Sequence, residues 1–167
     1  WKGNADPSMM SGIVVGYGNN EVNIPHVTDV PILTNEKCFR KKPDLSKFSS
    51  PRTFCGGLGV CSCDAGSGLF IKIDGVYHLR GIMSKQPNEG SCDVNNFSIF
   101  TNVLKFKPWI KSKKNSEECG VMSSSTGLIQ GGEISTRKDF PWMASIVIKN
   151  GSFNVSGVLV SHKHVVT

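Results

Sequence analysis

Short apolar segments separated by turn residues run through the first two thirds of the chain. Five segments have the length and apolar content of β-strands: residues 12–17, 27–33, 69–73, 77–82 and 99–103. The third and fourth segments flank Asp74-Gly75, a dipeptide that favours a two-residue hairpin turn. The pattern therefore predicts a β-rich unit that contains at least one tight hairpin.

A short helix is predicted directly after the last of these strands. Apolar residues near helical spacing mark it: Val103, Leu104, Phe106, Trp109 and Ile110. Pro108 within the stretch indicates a kink or a loosely formed start. The helix would close the first β-rich unit.

The composition then changes, and strand signals return after the change. Residues 112–128 are rich in Lys, Ser, Asn, Glu and Gly, as linkers are. Strand signals resume at residues 143–148, at 153–160 and from Val165 onward. We expect a first unit at 1–111, a linker at 112–128 and the start of a second unit at 129–167. Eighteen glycines and eight prolines among 167 residues agree with an all-β chain rich in turns.

The net charge of +6 does not by itself indicate a charged partner. The positive charges are scattered, except for one cluster: Lys105, Lys107, Lys111, Lys113 and Lys114. No aromatic residues interleave with basic ones there as a nucleic-acid surface would require, so we expect a solvated helix face rather than a heparin or nucleic-acid patch. The sequence contains no stretch of about 18 apolar residues, so neither a membrane helix nor a membrane partner is expected. Residues 1–4 do not resemble a signal peptide, and such a segment would lie upstream.

The cysteines and the glycosylation motifs favour an oxidising compartment, and hence secretion. None of the six cysteines forms a C-x-x-C pair, and no histidine stands near them at zinc-ligand spacing. We therefore expect no metal and no cofactor. Three N-x-S/T motifs make Asn96, Asn150 and Asn154 candidate glycosylation sites.

One stretch carries the chemistry, residues 61–70 with the sequence CSCDAGSGLF. It resembles the nucleophile loop of the trypsin and chymotrypsin family, C-x-G-D-S-G-G-P-L. Small residues there let the backbone turn tightly, so that N–H groups can face a developing oxyanion. Asp64 and Gly66 match the family pattern. Ala65 stands at the nucleophilic serine, and Cys63 replaces the preceding glycine.

Other segments resemble the same family in the same order. In the first unit these are residues 11–18, 30–38, 53–57, 81–84 and 99–110. Residues 129–132, 140–146 and 157–167 resemble the beginning of a protease domain instead. The resemblance implies an all-β, chymotrypsin-like double-barrel fold. Here it would comprise one C-terminal barrel and a partial N-terminal barrel of a second domain, as in arthropod-type extracellular multi-domain proteases.

The resemblance also assigns roles to individual residues. Asp64 would pair with the activated N-terminus, and Cys63 would occupy the oxyanion loop. Gly59 would lie at the bottom of the specificity pocket, where it offers no charge to a basic side chain, and Ser84 would line that pocket.

Family bridges imply two disulfides in this chain. They would join Cys38 to Cys55 and Cys61 to Cys92. Cys63 and Cys119 have no family partner inside the chain.

The resemblance predicts a secreted serine endopeptidase homologue that is catalytically inactive and binds in a proteolytic cascade. Its partner would be a protein substrate or another cascade protein, and its oligomeric state is open. Two alternatives stay open, an active endopeptidase in the full-length protein and a structural spacer domain. Neither Ser67 nor Cys63 is placed to replace the missing nucleophile, and the four histidines match no catalytic position of the family.

Overall fold

The computed structural model describes seven segments of the chain, and everything below concerns these residues: 11–17, 25–87, 93–113, 133–134, 139–147, 154–161 and 164–167. Ten strands lie within them: β1 Ser11–Gly16, β2 His26–Leu33, β3 Thr53–Gly56, β4 Gly68–Ile73, β5 Val76–Lys85, β6 Ser98–Asn102, β7 Glu133–Ile134, β8 Met143–Val147, β9 Asn154–Ser161 and β10 His164–Val166. There are two α-helices, α1 Asn35–Lys41 and α2 Lys107–Lys113. Three 3₁₀ turns complete the elements: Pro43–Phe48, Ser62–Asp64 and Val103–Phe106.

The first six strands form a closed antiparallel barrel. Their order is β1-β4-β5-β6-β3-β2, and β2 pairs back onto β1. β2 pairs with β3 only at Ile32 and Leu33, so the start of β2 keeps an edge at which a further strand can pair. Inside it lies an apolar core: Val14, Val30, Ile32, Phe54, Val60, Leu69, Met83 and Phe100. The predicted all-β fold is confirmed.

The hairpin predicted at Asp74-Gly75 joins β4 to β5. Both turn residues have positive φ, 51° at Asp74 and 82° at Gly75. Two successive residues with positive φ define the turn type that matches the right-handed twist of the flanking strands. The dipeptide therefore sets the register of this pair, in which Ile73 faces Val76.

Helix α1 was not predicted from the apolar pattern. The Thr34 side chain caps it by accepting a hydrogen bond from the Lys37 N–H at 3.3 Å. Glu36 and Arg40 pair at 2.6 Å on its exposed face. Capping and charge spacing, rather than hydrophobic periodicity, are the sequence signals of this short helix.

The helix predicted at the end of the first unit begins as a 3₁₀ turn and becomes α-helical at Lys107. The two geometries have different periods, 3.0 and about 3.6 residues per turn, so the apolar residues do not share one face. Val103 and Ile110 are buried, whereas Trp109 is 57% exposed. Within the described residues, no helix is long and apolar enough to cross a membrane.

Strands from residues 133–167 pack against the barrel. β7 pairs with the start of β2, with Val27 opposite Glu133. β8, β9 and β10 form a separate sheet in the order β10-β9-β8. One core cluster combines residues of both regions, among them Val15, Phe70, Tyr77, Trp142 and Val158. The Phe70 and Trp142 ring centroids are 5.8 Å apart. The division into separate units at 111 and 129 stays a prediction, but the strands on either side of the linker share one core.

Candidate active-site loop

The candidate site is the loop between β3 and β4 that carries the nucleophile-like motif. Its first part is the 3₁₀ turn Ser62–Asp64. The Cys61 N–H donates to Asp64 Oδ2 at 2.8 Å, and the Asp64 N–H donates back to the Cys61 carbonyl at 3.1 Å. These reciprocal bonds fix the Asp64 side chain within its own turn. The predicted pairing of Asp64 with an activated N-terminus remains a prediction.

Ala65 ends this turn and is half-buried. Its methyl side chain has no atom that could attack a carbonyl or bond to a base. Its backbone N–H donates to the Ser62 carbonyl at 3.3 Å, inside the turn. An N–H used in this way is not free to stabilise an oxyanion, which needs donors aimed at the position of the developing charge. The loop in this conformation therefore lacks both a hydroxyl nucleophile and this oxyanion donor.

Backbone hydrogen bonds anchor the second part of the loop to the end of β5. The Gly66 N–H donates to the Met83 carbonyl at 2.9 Å, and the Met83 N–H donates to the Ser67 carbonyl at 2.8 Å. The Ser67 side chain is completely buried. A substrate cannot reach it, which agrees with the sequence argument against Ser67 as a nucleophile.

Strand β9 and the residue after β10 cover the loop at Gly66. That glycine has a φ of +86°, and a Cβ there would meet the Ser156 carbonyl and the Thr167 hydroxyl. Thr167 Oγ1 donates to the same carbonyl at 2.9 Å, while Ser156 Oγ accepts from the Tyr17 N–H at 3.3 Å. Sequence reasoning missed Ser156 and Thr167, because nothing local in the sequence links them to a loop about ninety residues earlier.

Cys63 projects from the loop as a free, exposed thiol. Burial of part of the side chain, and then the nearby Asp64 charge, raise the pKa of this thiol above its ordinary value. A raised pKa keeps the sulfur protonated and poorly nucleophilic. The structure thus supports the argument against Cys63 as a replacement nucleophile.

A metal site at the loop is chemically disfavoured. Donor atoms of Cys61, Cys63 and Asp64 lie within 4.8 Å of one another. Cys61 is disulfide-bonded, however, so it offers no thiolate to a metal ion. The remaining two groups, one of them a thiol with a raised pKa, do not make a zinc site.

The two positions assigned to a specificity pocket, Gly59 and Ser84, are each close in sequence to the hydrogen bond between Val60 and Gln86. Gly59 is half-buried, and its N–H donates to the Val94 carbonyl at 2.7 Å. Ser84 is exposed near the end of β5. Gln86 lies two residues after Ser84 and donates through Nε2 to the carbonyl of Val60 at 2.6 Å. The sequence marks Lys85 and Gln86 as departures from the family segment that begins at Gly81, but sequence reasoning gave Gln86 no role.

The Cys38–Cys55 disulfide is confirmed. Cys61 is also disulfide-bonded, and its predicted partner Cys92 lies outside the described residues, as does Cys119.

Asn96 is only 3% exposed, and its Nδ2 donates to Asp93 Oδ2 at 2.8 Å, which leaves little room for a glycan.

The other two candidate glycosylation sites are not placed by the structure. Asn150 and the side chain of Asn154 lie outside the described residues. Their modification stays a prediction.

A closed six-stranded β-barrel with the nucleophile-like loop between β3 and β4 is consistent with one barrel of a chymotrypsin-like fold. The trypsin family model matches residues 3–110, well over half of the chain. The chain therefore belongs to the trypsin family.

Three curated relatives illustrate the similarity. Serine protease gd of Drosophila melanogaster is 30% identical over 123 residues, covering 60% of this chain and 23% of the relative. Coagulation factor XI of Bos taurus is 31% identical over 108 residues, covering 60% of this chain and 17% of the relative. Vitamin K-dependent protein C of Oryctolagus cuniculus is 26% identical, with 64% and 25% covered. The chain thus spans a quarter or less of the length of these relatives.

Proposed function

We infer that this chain is a catalytically inactive serine-protease homologue that acts by binding other proteins outside the cell. The observation that carries the inference is the state of residue 65. Its side chain is a methyl group, and its N–H donates to the Ser62 carbonyl at 3.3 Å. A serine protease needs a hydroxyl activated by a histidine and N–H donors that face the oxyanion. Ala65 supplies neither.

Secretion is proposed on the chemistry of the cysteines. One disulfide joins Cys38 to Cys55, and Cys61 is bonded as well. Disulfides persist mainly in oxidising compartments. The names of two relatives, a coagulation factor and a protease, suggest that the proposed partners are proteins of a proteolytic cascade.

An active endopeptidase and a structural spacer are the competing functions. Incubation of the full-length protein and of this chain with a biotinylated fluorophosphonate separates the first, since the reagent labels only an activated serine. Trypsin serves as the positive control. We expect no label on either sample, and labelling within this trypsin-like unit would refute the proposed inactivity.

Binding measurements separate a binding role from a spacer. The chain, immobilised on a sensor surface, is exposed to purified active and zymogen forms of secreted trypsin-family proteases. We expect saturable binding of at least one of them, which denaturing the immobilised chain by reduction abolishes. A spacer would bind none above the level seen with serum albumin.

A further inference from the structure

Gln86 is buried in a place where a long polar side chain is expensive to keep. It lies directly after β5 and is 1% exposed. Its Nε2 donates to the Val60 carbonyl at 2.6 Å and to Ser98 Oγ at 3.0 Å. Burying an amide costs free energy unless its polar atoms find partners. The two bonds therefore hold the side chain in one position.

One hydrogen-bond partner of Gln86 is adjacent in sequence to a residue that the family resemblance assigns to the specificity pocket. Val60 follows Gly59, the residue assigned to the pocket floor, and Ser98 begins β6. Ser84, assigned to the pocket wall, lies two residues before Gln86. The amide nitrogen of Gln86 thus contacts both the segment that follows Gly59 and the start of β6.

The hydrogen bonding of the glutamine is incomplete. Its Oε1 is buried and has no hydrogen-bond partner within the part of the chain that the structure describes. A buried acceptor without a partner destabilises the fold, and an apolar side chain of similar size would avoid that penalty. An apolar side chain would need no hydrogen-bond partners at this position, so packing of the core does not by itself call for a glutamine.

We propose that Gln86 is an internal plug of the substrate pocket that the family resemblance assigns to Gly59 and Ser84. This inference rests on the proposed function as a non-catalytic homologue. The plug would block substrate processing independently of the missing serine at position 65. Removing the plug would expose the Val60 carbonyl and the Ser98 hydroxyl in a space with no charge at Gly59. The opened pocket would take a small neutral ring that carries one N–H donor.

The test compares two variants of the full chain, Gln86→Gly and Gln86→Leu. The first removes the plug, and the second keeps its volume but loses the N–H groups. Indole is the probe, because its N–H can donate to the Val60 carbonyl in place of Gln86 Nε2. Benzofuran, which has the same shape without the donor, is the control probe. Binding is followed by two-dimensional ¹H–¹⁵N NMR, and the dispersion of the same spectra verifies that each protein is folded.

We expect saturable shifts at the amides of Gly59, Val60 and Ser98 only when indole is added to Gln86→Gly. The native chain and Gln86→Leu should bind indole at least tenfold more weakly, and benzofuran should bind Gln86→Gly more weakly than indole does. If Gln86→Gly is unfolded, Gln86→Ala carries the same comparison. Equal binding by the native and glycine proteins, or no binding by a folded plug-free variant, would overturn the proposal.

The outcome is independent of catalysis. If the full-length protein hydrolyses amides, the proposed function fails while the indole comparison still reports on the plug. If instead the plug is disproved, inactivity still rests on Ala65.

Discussion

Replacing Gly66 by alanine tests how tightly β9 covers the nucleophile-like loop. A Cβ at this position would meet the Ser156 carbonyl and the Thr167 hydroxyl. The first contact is with backbone, which cannot move aside as a flexible side chain can. We expect Gly66→Ala to loosen the packing of residues 154–167 on the barrel.

Gly75→Ala is the matched control for this change. Its φ of +82° is close to the +86° of Gly66, but a Cβ there would have no atom within 4 Å. A non-glycine residue in the left-handed region costs about 1–2 kcal/mol. Overpacking a well-filled interior adds about 1–3 kcal/mol. The free energy of unfolding should therefore fall by about 1–2 kcal/mol in Gly75→Ala and by about 2–5 kcal/mol in Gly66→Ala.

Urea unfolding monitored by fluorescence and by circular dichroism measures both values. Trp142 is buried in the core shared by the two regions, so its emission should shift to the red when β9 and its neighbours detach. In Gly66→Ala we expect the fluorescence transition to precede the loss of secondary structure. Equal destabilisation by the two alanine variants, with coincident transitions, would show that β9 does not press on Gly66.

Three further predictions follow from the loop and its surroundings. Ala65→Ser in this chain should give no measurable amide hydrolysis and no fluorophosphonate label, because the four histidines match no catalytic position of the family and the N–H at 65 is already bonded. Its free energy of unfolding should change by no more than about 0.5 kcal/mol. Cys63 should react with iodoacetamide at pH 7.5 more slowly than glutathione does, since its raised pKa keeps it protonated, and Asp64→Asn should accelerate the reaction by removing the nearby charge. A rate faster than that of glutathione, or one that Asp64→Asn slows, would contradict this. Asn96 should be unglycosylated in the folded protein when it is expressed through a secretory pathway, because it is buried against Asp93. A glycopeptide from that site in a mass-spectrometric digest would prove the prediction wrong.

Local signals in the sequence were enough to predict much of the barrel. The Asp74-Gly75 dipeptide predicted its hairpin because the turn type depends on those two residues alone. The Cys38–Cys55 bridge followed from the family resemblance and is confirmed. Such features depend on a few neighbouring residues or on one recognisable motif.

The features of the candidate site that escaped prediction depend on distant parts of the chain. Ser156 contacts the loop at Gly66 only because β9 packs there, and no local pattern encodes that packing. The N–H of Ala65 is bonded to Ser62 through a backbone turn that many sequences could form. The burial of Gln86 likewise requires β5 and β6 to be in place around it.

The atoms that anchor this loop are not the atoms that the proposed loss of catalysis concerns. The Asp64 carboxylate bonds to the Cys61 N–H, and the Gly66 N–H bonds to Met83; both interactions hold the loop in place, and both residues match the family pattern. Under the proposals made above, the departures fall instead where a protease would touch its substrate, at Ala65 and at Gln86. Neither change removes a hydrogen bond that anchors the loop. The barrel can therefore keep its shape as a binding module without the groups needed for peptide hydrolysis.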